Sequence, residues 1–143
     1  MKQFFANKKA DFYILSATVV LGILGIILYA VTATDKSQMT ETFVSGWVIA
    51  LFAIAVASSC AAMFLEFPLI RTLGSVAYFA TILAWAINQG GYIVNVMMGI
   101  DGNVFSFGYI LAVIIMLLGF IASIVSGVML IKRQEATKVE KAE

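Results

Sequence analysis

The chain has 143 residues, of which 62% are hydrophobic and 12% are charged, with a formal net charge of +1. Charged residues make up about a quarter of a soluble domain, so this composition and the mean hydropathy of +1.02 indicate a membrane protein. Histidine is absent and Cys60 is the only cysteine. We therefore expect no histidine-ligated metal or haem, no histidine general base and no internal disulfide. No cofactor, no catalytic residue and no nucleic-acid partner is expected.

Four long apolar runs occupy most of the chain, at residues 12–33, 43–65, 69–98 and 107–131. Each run is long enough for a helix to cross the hydrocarbon core, which takes about 20 apolar residues. Lipid cannot satisfy backbone polar groups, so these runs predict transmembrane helices. The first run exceeds the 7–15 residues of a signal-peptide core, and we interpret it as a permanent span. The sequence thus predicts an all-α fold: a four-helix transmembrane bundle in a single membrane domain over residues 1–143, with a tail at 132–143.

The distribution of basic residues predicts the orientation. Eight of the nine Lys and Arg residues fall on one side of a four-span chain, in the N-terminal segment, the turn after the second run and the tail. The other side has only Lys36. By the positive-inside rule, both termini of this multi-pass protein of the cell membrane are expected to be cytoplasmic.

Small residues recur at helical spacing in every run, and in lipid such stripes let helix backbones approach closely. The residues for which we predict helix packing are Gly22 and Gly25 in the first run, Gly46, Ala50, Ala53 and Ala57 in the second, Gly74 and Ala77 in the third, and Gly119, Ser123 and Gly127 in the fourth. Spacing near 3.5 residues in the first three runs predicts left-handed crossings. The spacing of four in the last run predicts a right-handed contact, either inside the chain or between two chains.

The third run is longer than a span requires. Its stripe of small and polar residues extends from Gly74 through Asn88 to Asn95 with a period near 3.5 residues. The unbroken period favours one continuous helix, with or without a kink. A break at Gly90 and Gly91 is the alternative.

The polar residues of the third run are the candidates for a functional site, because polar groups at membrane depth are costly to keep there. In one interpretation, the amides of Asn88, Gln89 and Asn95 hydrogen-bond across helices and fix their register. In the other, they line an outward-facing cavity for an uncharged polar ligand. The other members of that candidate cavity are Tyr29, Trp85, Tyr92 and Asp101.

Charged residues near the helix ends predict surface ion pairs. Glu66 and Arg71 are close enough in sequence to pair, and an exposed pair is worth about 0–1 kcal/mol. Asp11 follows Lys8 and Lys9, and we expect it to pair there. No acidic residue lies in the middle of a run, which argues against proton coupling through an intramembrane carboxylate.

Three segments carry a resemblance to a known group of proteins: KQFF with DFY at 2–5 and 11–13, YIVN at 92–95, and IASIV at 121–125. In these segments the chain resembles small four-span bacterial integral membrane proteins to which no activity is assigned. The resemblance implies the fold and a membrane location only.

Two functions fit these features. The leading hypothesis is a non-enzymatic accessory or scaffolding subunit. The alternative is a small oligomeric transporter or channel for a neutral polar solute, which would use the polar outer end of the third span. The expected partners are the lipid bilayer and either further copies of the chain or a larger membrane complex. A polar cavity that reaches past Thr81 would favour transport, and a closed apolar core would favour scaffolding.

Overall fold

The computed structural model describes the backbone of residues 2–33, 44–100 and 104–143, and the side chains of residues 10–32, 44–100 and 104–143. The described residues form five α-helices: α1 (Lys2–Ala33), α2 (Gly46–Phe64), α3 (Pro68–Asn88), α4 (Gly90–Met97) and α5 (Phe107–Ala142). Four of them, α1, α2, α3 and α5, are long and apolar enough to cross a membrane. The described chain therefore has the all-helical architecture of a multi-pass membrane protein.

The four long helices pack in a ring. α1 lies against α2 and α5, and α3 lies against the same two helices. Three residues join α2 to α3, and Pro68 occupies the first turn of α3, where its missing N–H costs no helical hydrogen bond. This is the tight antiparallel hairpin that the sequence predicts. The bundle has two ends. The Asp11 end contains the start of the α1 span, the α2–α3 turn and α5 after residue 126. The Tyr29 end contains the C-terminal end of α1, the N-terminal end of α2 and the C-terminal end of α3.

Tyr78 of α3 fills the centre of the bundle. Its side chain is 1% exposed, and its hydroxyl donates a hydrogen bond of 2.7 Å to the backbone carbonyl of Thr18 on α1. The aromatic ring of Tyr78 requires glycine on both sides. A Cβ at Gly22 would lie 2.5 Å from the Tyr78 hydroxyl, and a Cβ at Gly119 would lie 2.9 Å from the Tyr78 Cε1. Gly25 similarly makes room for Phe52, whose Cε1 would be 2.9 Å from an added Cβ. The two glycines that we predict to pack in α1 therefore lie inside the bundle.

Within one chain, the prediction that the small residues of α2 pack against the other helices has to be corrected. Gly46, Ala50, Ala53 and Ala57 are all exposed on the surface of the bundle. The residues that α2 buries are Val48, Phe52, Ala55, Ser58, Ser59 and Ala62. Successive residues of a helix are about 100° apart, so the two sets occupy different faces. The buried face carries Val48 and Phe52 together with small residues, and the face of Gly46, Ala50, Ala53 and Ala57 is left outside.

The first residues of the predicted stripe in α3 are buried, but further along the third run other positions are buried. Gly74, Ala77 and Thr81 are buried, but Gly91 is exposed and Asn95 is only half-buried. The residues buried toward the Tyr29 end are Trp85, Gln89 and Tyr92. A straight helix drifts by about 20° per heptad relative to a period of 3.5, so along α3 the burial passes from Ala84 to the neighbouring Trp85.

The third run does not form one continuous helix. Gln89 leaves helical geometry with φ −96° and ψ 2°, and it separates α3 from α4. Hydrogen bonds bridge the break, since the N–H of Gln89 donates to Trp85 at 2.9 Å and that of Ile93 donates to Gln89 at 3.0 Å. Glycine lowers helix stability, and the break falls directly before Gly90 and Gly91. The run is therefore broken, at Gln89 rather than at Gly90 and Gly91, which are the first residues of α4.

In α5, two of the three predicted packing residues are buried inside the helix bundle. Gly119 and Ser123 are buried, whereas Gly127 is half-buried and an added Cβ there would meet no described atom within 4 Å. The helix continues through the predicted tail to Ala142, a total of 36 residues. At 1.5 Å per residue it is about 54 Å long, so it extends beyond a hydrocarbon core of about 30 Å.

Candidate functional site

The predicted polar residues at the Tyr29 end form a hydrogen-bond network between helices. The hydroxyl of Tyr29 donates to the Asn88 side-chain oxygen at 3.0 Å, and the Gln89 amide nitrogen donates to the same oxygen at 2.8 Å. The Tyr29 hydroxyl in turn accepts a hydrogen bond of 2.8 Å from the backbone N–H of Ser45. Side chains of α1 and α3 are thereby tied to the chain just before α2.

An aromatic cluster lies next to this network. Trp85 and Tyr92 each contact Tyr109, with ring centroids 5.2 and 5.1 Å apart, and Phe105 stacks on Tyr109 at 5.4 Å. The hydroxyl of Tyr92 donates to the backbone carbonyl of Val104 at 3.1 Å. The buried Tyr109 hydroxyl has no hydrogen-bond partner within the described residues. The rings join α3, α4 and α5 at this end.

The structure therefore groups the predicted cavity residues in two ways. Asn88 and Gln89 share hydrogen bonds, whereas Trp85 and Tyr92 belong to the aromatic cluster. Asn95 is half-buried, and Asp101 lies outside the described residues. The hydrogen bond from Tyr29 favours the interpretation in which the Asn88 amide fixes helix register, whereas the Gln89 amide donates to its sequence neighbour. The cavity with its neutral ligand stays a prediction.

At the Asp11 end the structure contains a charged site that the sequence interpretation missed. Asp11 and Arg71 are each 5% exposed. Both terminal nitrogens of Arg71 donate to the Asp11 carboxylate at 2.6 Å. The Nη1 of Arg71 also donates to the backbone carbonyl of Ser126 at 2.9 Å. A bidentate guanidinium–carboxylate pair of this kind is among the strong hydrogen-bonded contacts in proteins.

A second arginine extends this site. Arg133 of α5 is 8% exposed; its Nη1 lies 3.7 Å from Asp11 Oδ2 and its Nη2 lies 3.1 Å from Glu66 Oε1. The hydroxyl of Ser126 also donates to Asp11, at 3.3 Å. We call these five residues, Asp11, Glu66, Arg71, Ser126 and Arg133, the Asp11 cluster. It connects α1, α3, α5 and the α2–α3 turn at one level of the bundle.

The cluster corrects the predicted pairing of Glu66 with Arg71. Arg71 pairs with Asp11 rather than with Glu66, and Glu66 pairs with Arg133. The side chains of Lys8 and Lys9, the expected partners of Asp11, lie outside the described residues. A signal for the cluster was available, because Asp11 precedes Thr18 by seven residues and Arg133 follows Ser126 by seven. Both charged residues therefore continue the buried stripes of their helices.

The described residues can be searched for a cluster of metal-ligating side chains. Residues 10–32, 44–100 and 104–143 contain no group of three or more His, Cys, Asp or Glu side chains that could hold a metal ion. Cys60 is a half-buried free thiol. The polar side chains of the Asp11 cluster and of the network at the Tyr29 end form hydrogen bonds and ion pairs between helices.

No protein-family model, curated protein or solved structure matches this chain. The resemblance to small four-span bacterial membrane proteins therefore stays a prediction from the sequence. Support for a function comes from the geometry of the bundle.

Proposed function

We propose that this protein is a non-enzymatic integral membrane protein that acts as an accessory or scaffolding subunit of a membrane assembly. The observation that carries the proposal is the filled centre of the bundle. Tyr78, Phe52 and Met116 are at most 2% exposed and meet between the helices. A solute that moved along the bundle axis would have to displace them. The single chain is thus better suited to be a packed structural body than a conduit.

The exposed stripe of α2 gives this proposal a docking surface. Gly46, Ala50, Ala53 and Ala57 face away from the bundle. In lipid, helices associate through close backbone approach and side-chain packing, and small residues permit that approach. We place the partner on this stripe and infer that it is an apolar transmembrane helix of another subunit.

The docking surface can be tested with one substitution and a matched control. Ala53→Leu adds a bulky side chain in the stripe, whereas Ala17→Leu makes the same change at an exposed alanine of α1. Each variant is purified in native nanodiscs from the cells that produce it, and the recovered partners are quantified by mass spectrometry. We expect Ala53→Leu to reduce the stoichiometric partner by about tenfold, as a loss of about 1.4 kcal/mol would do.

Equal recovery with both variants and with the unchanged chain would contradict the role of the stripe. Tagged and untagged copies of the chain, expressed together, identify the partner class. If untagged chain is recovered with the tagged copy, the assembly is a homo-oligomer. A different membrane protein in a fixed ratio identifies a larger complex.

We further propose that both termini are cytoplasmic and that the protein resides in the cell membrane. The support is the excess of Lys and Arg on that side of the four spans, as the positive-inside rule requires. An epitope tag at either terminus should be inaccessible to antibody in intact cells and become accessible after permeabilisation. A tag that reacts on intact cells would overturn the orientation.

The alternative function is a small oligomeric transporter or channel for a neutral polar solute. The observation in its favour is that two amide side chains, Asn88 and Gln89, lie together at the Tyr29 end of the third span. Proteoliposomes loaded with radiolabelled glycerol or glucose provide the test. Efflux above that of empty liposomes, abolished by Asn88→Leu, would favour transport and overturn the subunit proposal. Efflux equal to that of empty liposomes supports the subunit proposal.

A further inference from the structure

A small polar cavity lies beside the Asp11 cluster and is lined by residues of all four long helices, with Leu15 contributed by α1. Its polar lining consists of Ser58 and Ser59 of α2, Arg71 of α3, and Ser123 and Ser126 of α5, with Gly74 between them. The cavity volume is about 10 Å³, which is about the space that one water molecule needs. Size therefore restricts any occupant to a single small molecule or ion.

Arg71 supplies an unused hydrogen-bond donor at this cavity. Its two terminal nitrogens are held by Asp11 and Ser126. Its Nε–H is buried and has no hydrogen-bond partner among the described residues. Buried polar groups of native proteins almost always have a partner, which is often an ordered water molecule.

The hydroxyls of Ser58 and Ser59 supply acceptors rather than donors. Ser58 and Ser59 both donate their hydrogens to the backbone carbonyl of Ala55, at 2.9 and 2.8 Å. Their oxygen lone pairs remain free to accept, because a hydroxyl has one donor and two acceptor positions. The oxygens converge: a Cβ added at Gly74 would lie 3.0 Å from the Ser58 oxygen, 3.6 Å from that of Ser123 and 3.7 Å from that of Ser59.

We propose that this cavity binds one water molecule, which accepts a hydrogen bond from the Nε–H of Arg71 and donates to the serine hydroxyl oxygens. The occupant must both accept and donate, and a chloride ion cannot donate. A metal cation cannot accept from the guanidinium and is repelled by its charge. Water meets the size and hydrogen-bonding requirements together. The water completes the hydrogen bonding of a buried charged side chain, and this site is independent of the proposed subunit role.

The arginine content of the chain makes the test selective. Arg71 and Arg133 are the only two arginines, so a sample labelled with ¹⁵N-arginine gives two Nε–H signals in solid-state NMR of proteoliposomes. The variant Arg133→Lys keeps the charge and leaves the Arg71 signal alone for assignment. We expect magnetisation transfer from a bound water to the Arg71 Nε–H. A folded sample in which that Nε–H shows no water contact would overturn the proposal.

Two glycine variants provide the matched comparison. Gly74→Ala places a methyl group against the Ser58 oxygen and should abolish the water signal at Arg71. Gly127→Ala adds the same group where no described atom lies within 4 Å and should preserve it. A water signal that survives in folded Gly74→Ala would place the water elsewhere and contradict this site.

A third measurement does not depend on a variant that folds. Chloride in the buffer is replaced by gluconate, which is too large for the cavity. An unchanged Arg71 Nε–H shift with retained water transfer supports the water. A shift that follows the chloride concentration would identify a bound anion and overturn the proposal.

Discussion

Asp11 is the residue that holds three helices together at one end of the bundle. Its carboxylate accepts from both terminal nitrogens of Arg71, lies 3.7 Å from Arg133 and accepts from the Ser126 hydroxyl. The guanidinium group of Arg71 thus depends on this buried carboxylate for compensation, whereas that of Arg133 also pairs with Glu66 at 3.1 Å. A buried ion pair contributes little net stability compared with apolar packing, but removal of one partner leaves an unpaired charge.

We therefore expect Asp11→Asn to lower the free energy of unfolding by about 3–5 kcal/mol, because Arg71 would lose its counter-charge in a buried site. The measurement is reversible unfolding in mixed micelles with increasing SDS. Glu135→Gln is the control, since it neutralises an exposed acid of the same end of α5. If the two variants were equally stable, the burial of the pair in the membrane-embedded protein would be contradicted.

At the scale of the helices, the spacing between α1, α3 and α5 is set by a tyrosine between two glycines. Gly22→Ala would place its methyl carbon 2.5 Å from the Tyr78 hydroxyl and 2.5 Å from Val56 Cγ2. We expect it to destabilise the bundle by about 1–3 kcal/mol through overpacking. Tyr78→Phe in the same chain should recover part of this loss, because it removes one of the two clashing atoms. An equal loss in both backgrounds would show that Tyr78 does not occupy this position.

The two ends of α4 predict opposite effects for the same substitution. Gly90 lies in a helix with open space beside it among the described atoms, whereas Gly99 follows the helix with φ +65°. Gly90→Ala should stabilise by up to about 1 kcal/mol through helix propensity. Gly99→Ala should destabilise by about 1–2 kcal/mol, because left-handed backbone strains a residue with a Cβ. Thermal unfolding checks both, and changes of the same sign would contradict the assigned end of α4.

The helices could be predicted from the sequence because the length and apolarity of a span are local properties. The inward face of a span is less local. In α2 both the Ala50–Ala57 face and the Phe52 face are apolar, and lipid accepts either, so only the partner helices decide between them. The Asp11 cluster was missed for a related reason: Asp11 and Arg71 are 60 residues apart in the chain. Proximity in sequence favours nearer partners for each charge.

At the scale of the whole molecule, the two polar networks lie at opposite ends of a packed apolar centre. Arg71 and Asn88 are 17 residues apart on α3, or about 25 Å along the helix axis at 1.5 Å per residue. Asn88→Leu removes the shared acceptor of Tyr29 and Gln89 and should cost about 1 kcal/mol. Combined with Asp11→Asn, the two losses should add to within about 0.5 kcal/mol, because the sites share no contact.

The same SDS unfolding measurement on the two single variants and the double variant tests additivity. A departure from the sum of more than about 1 kcal/mol would show that the two ends are energetically coupled through the filled centre. Coupling of that size would also weaken the subunit proposal, since a transporter needs communication between its two openings.

The composition of the Asp11 cluster has a consequence for an energised membrane. Two guanidinium groups and two carboxylates sum to zero, so a transmembrane voltage exerts no net force on the set. Asp11→Asn would leave one uncompensated positive charge, and a full unit charge moved across the bilayer gains or loses about 2.3 kcal/mol per 100 mV. The native helices should therefore hold their positions as the voltage changes, whereas those of the variant would be drawn along the field.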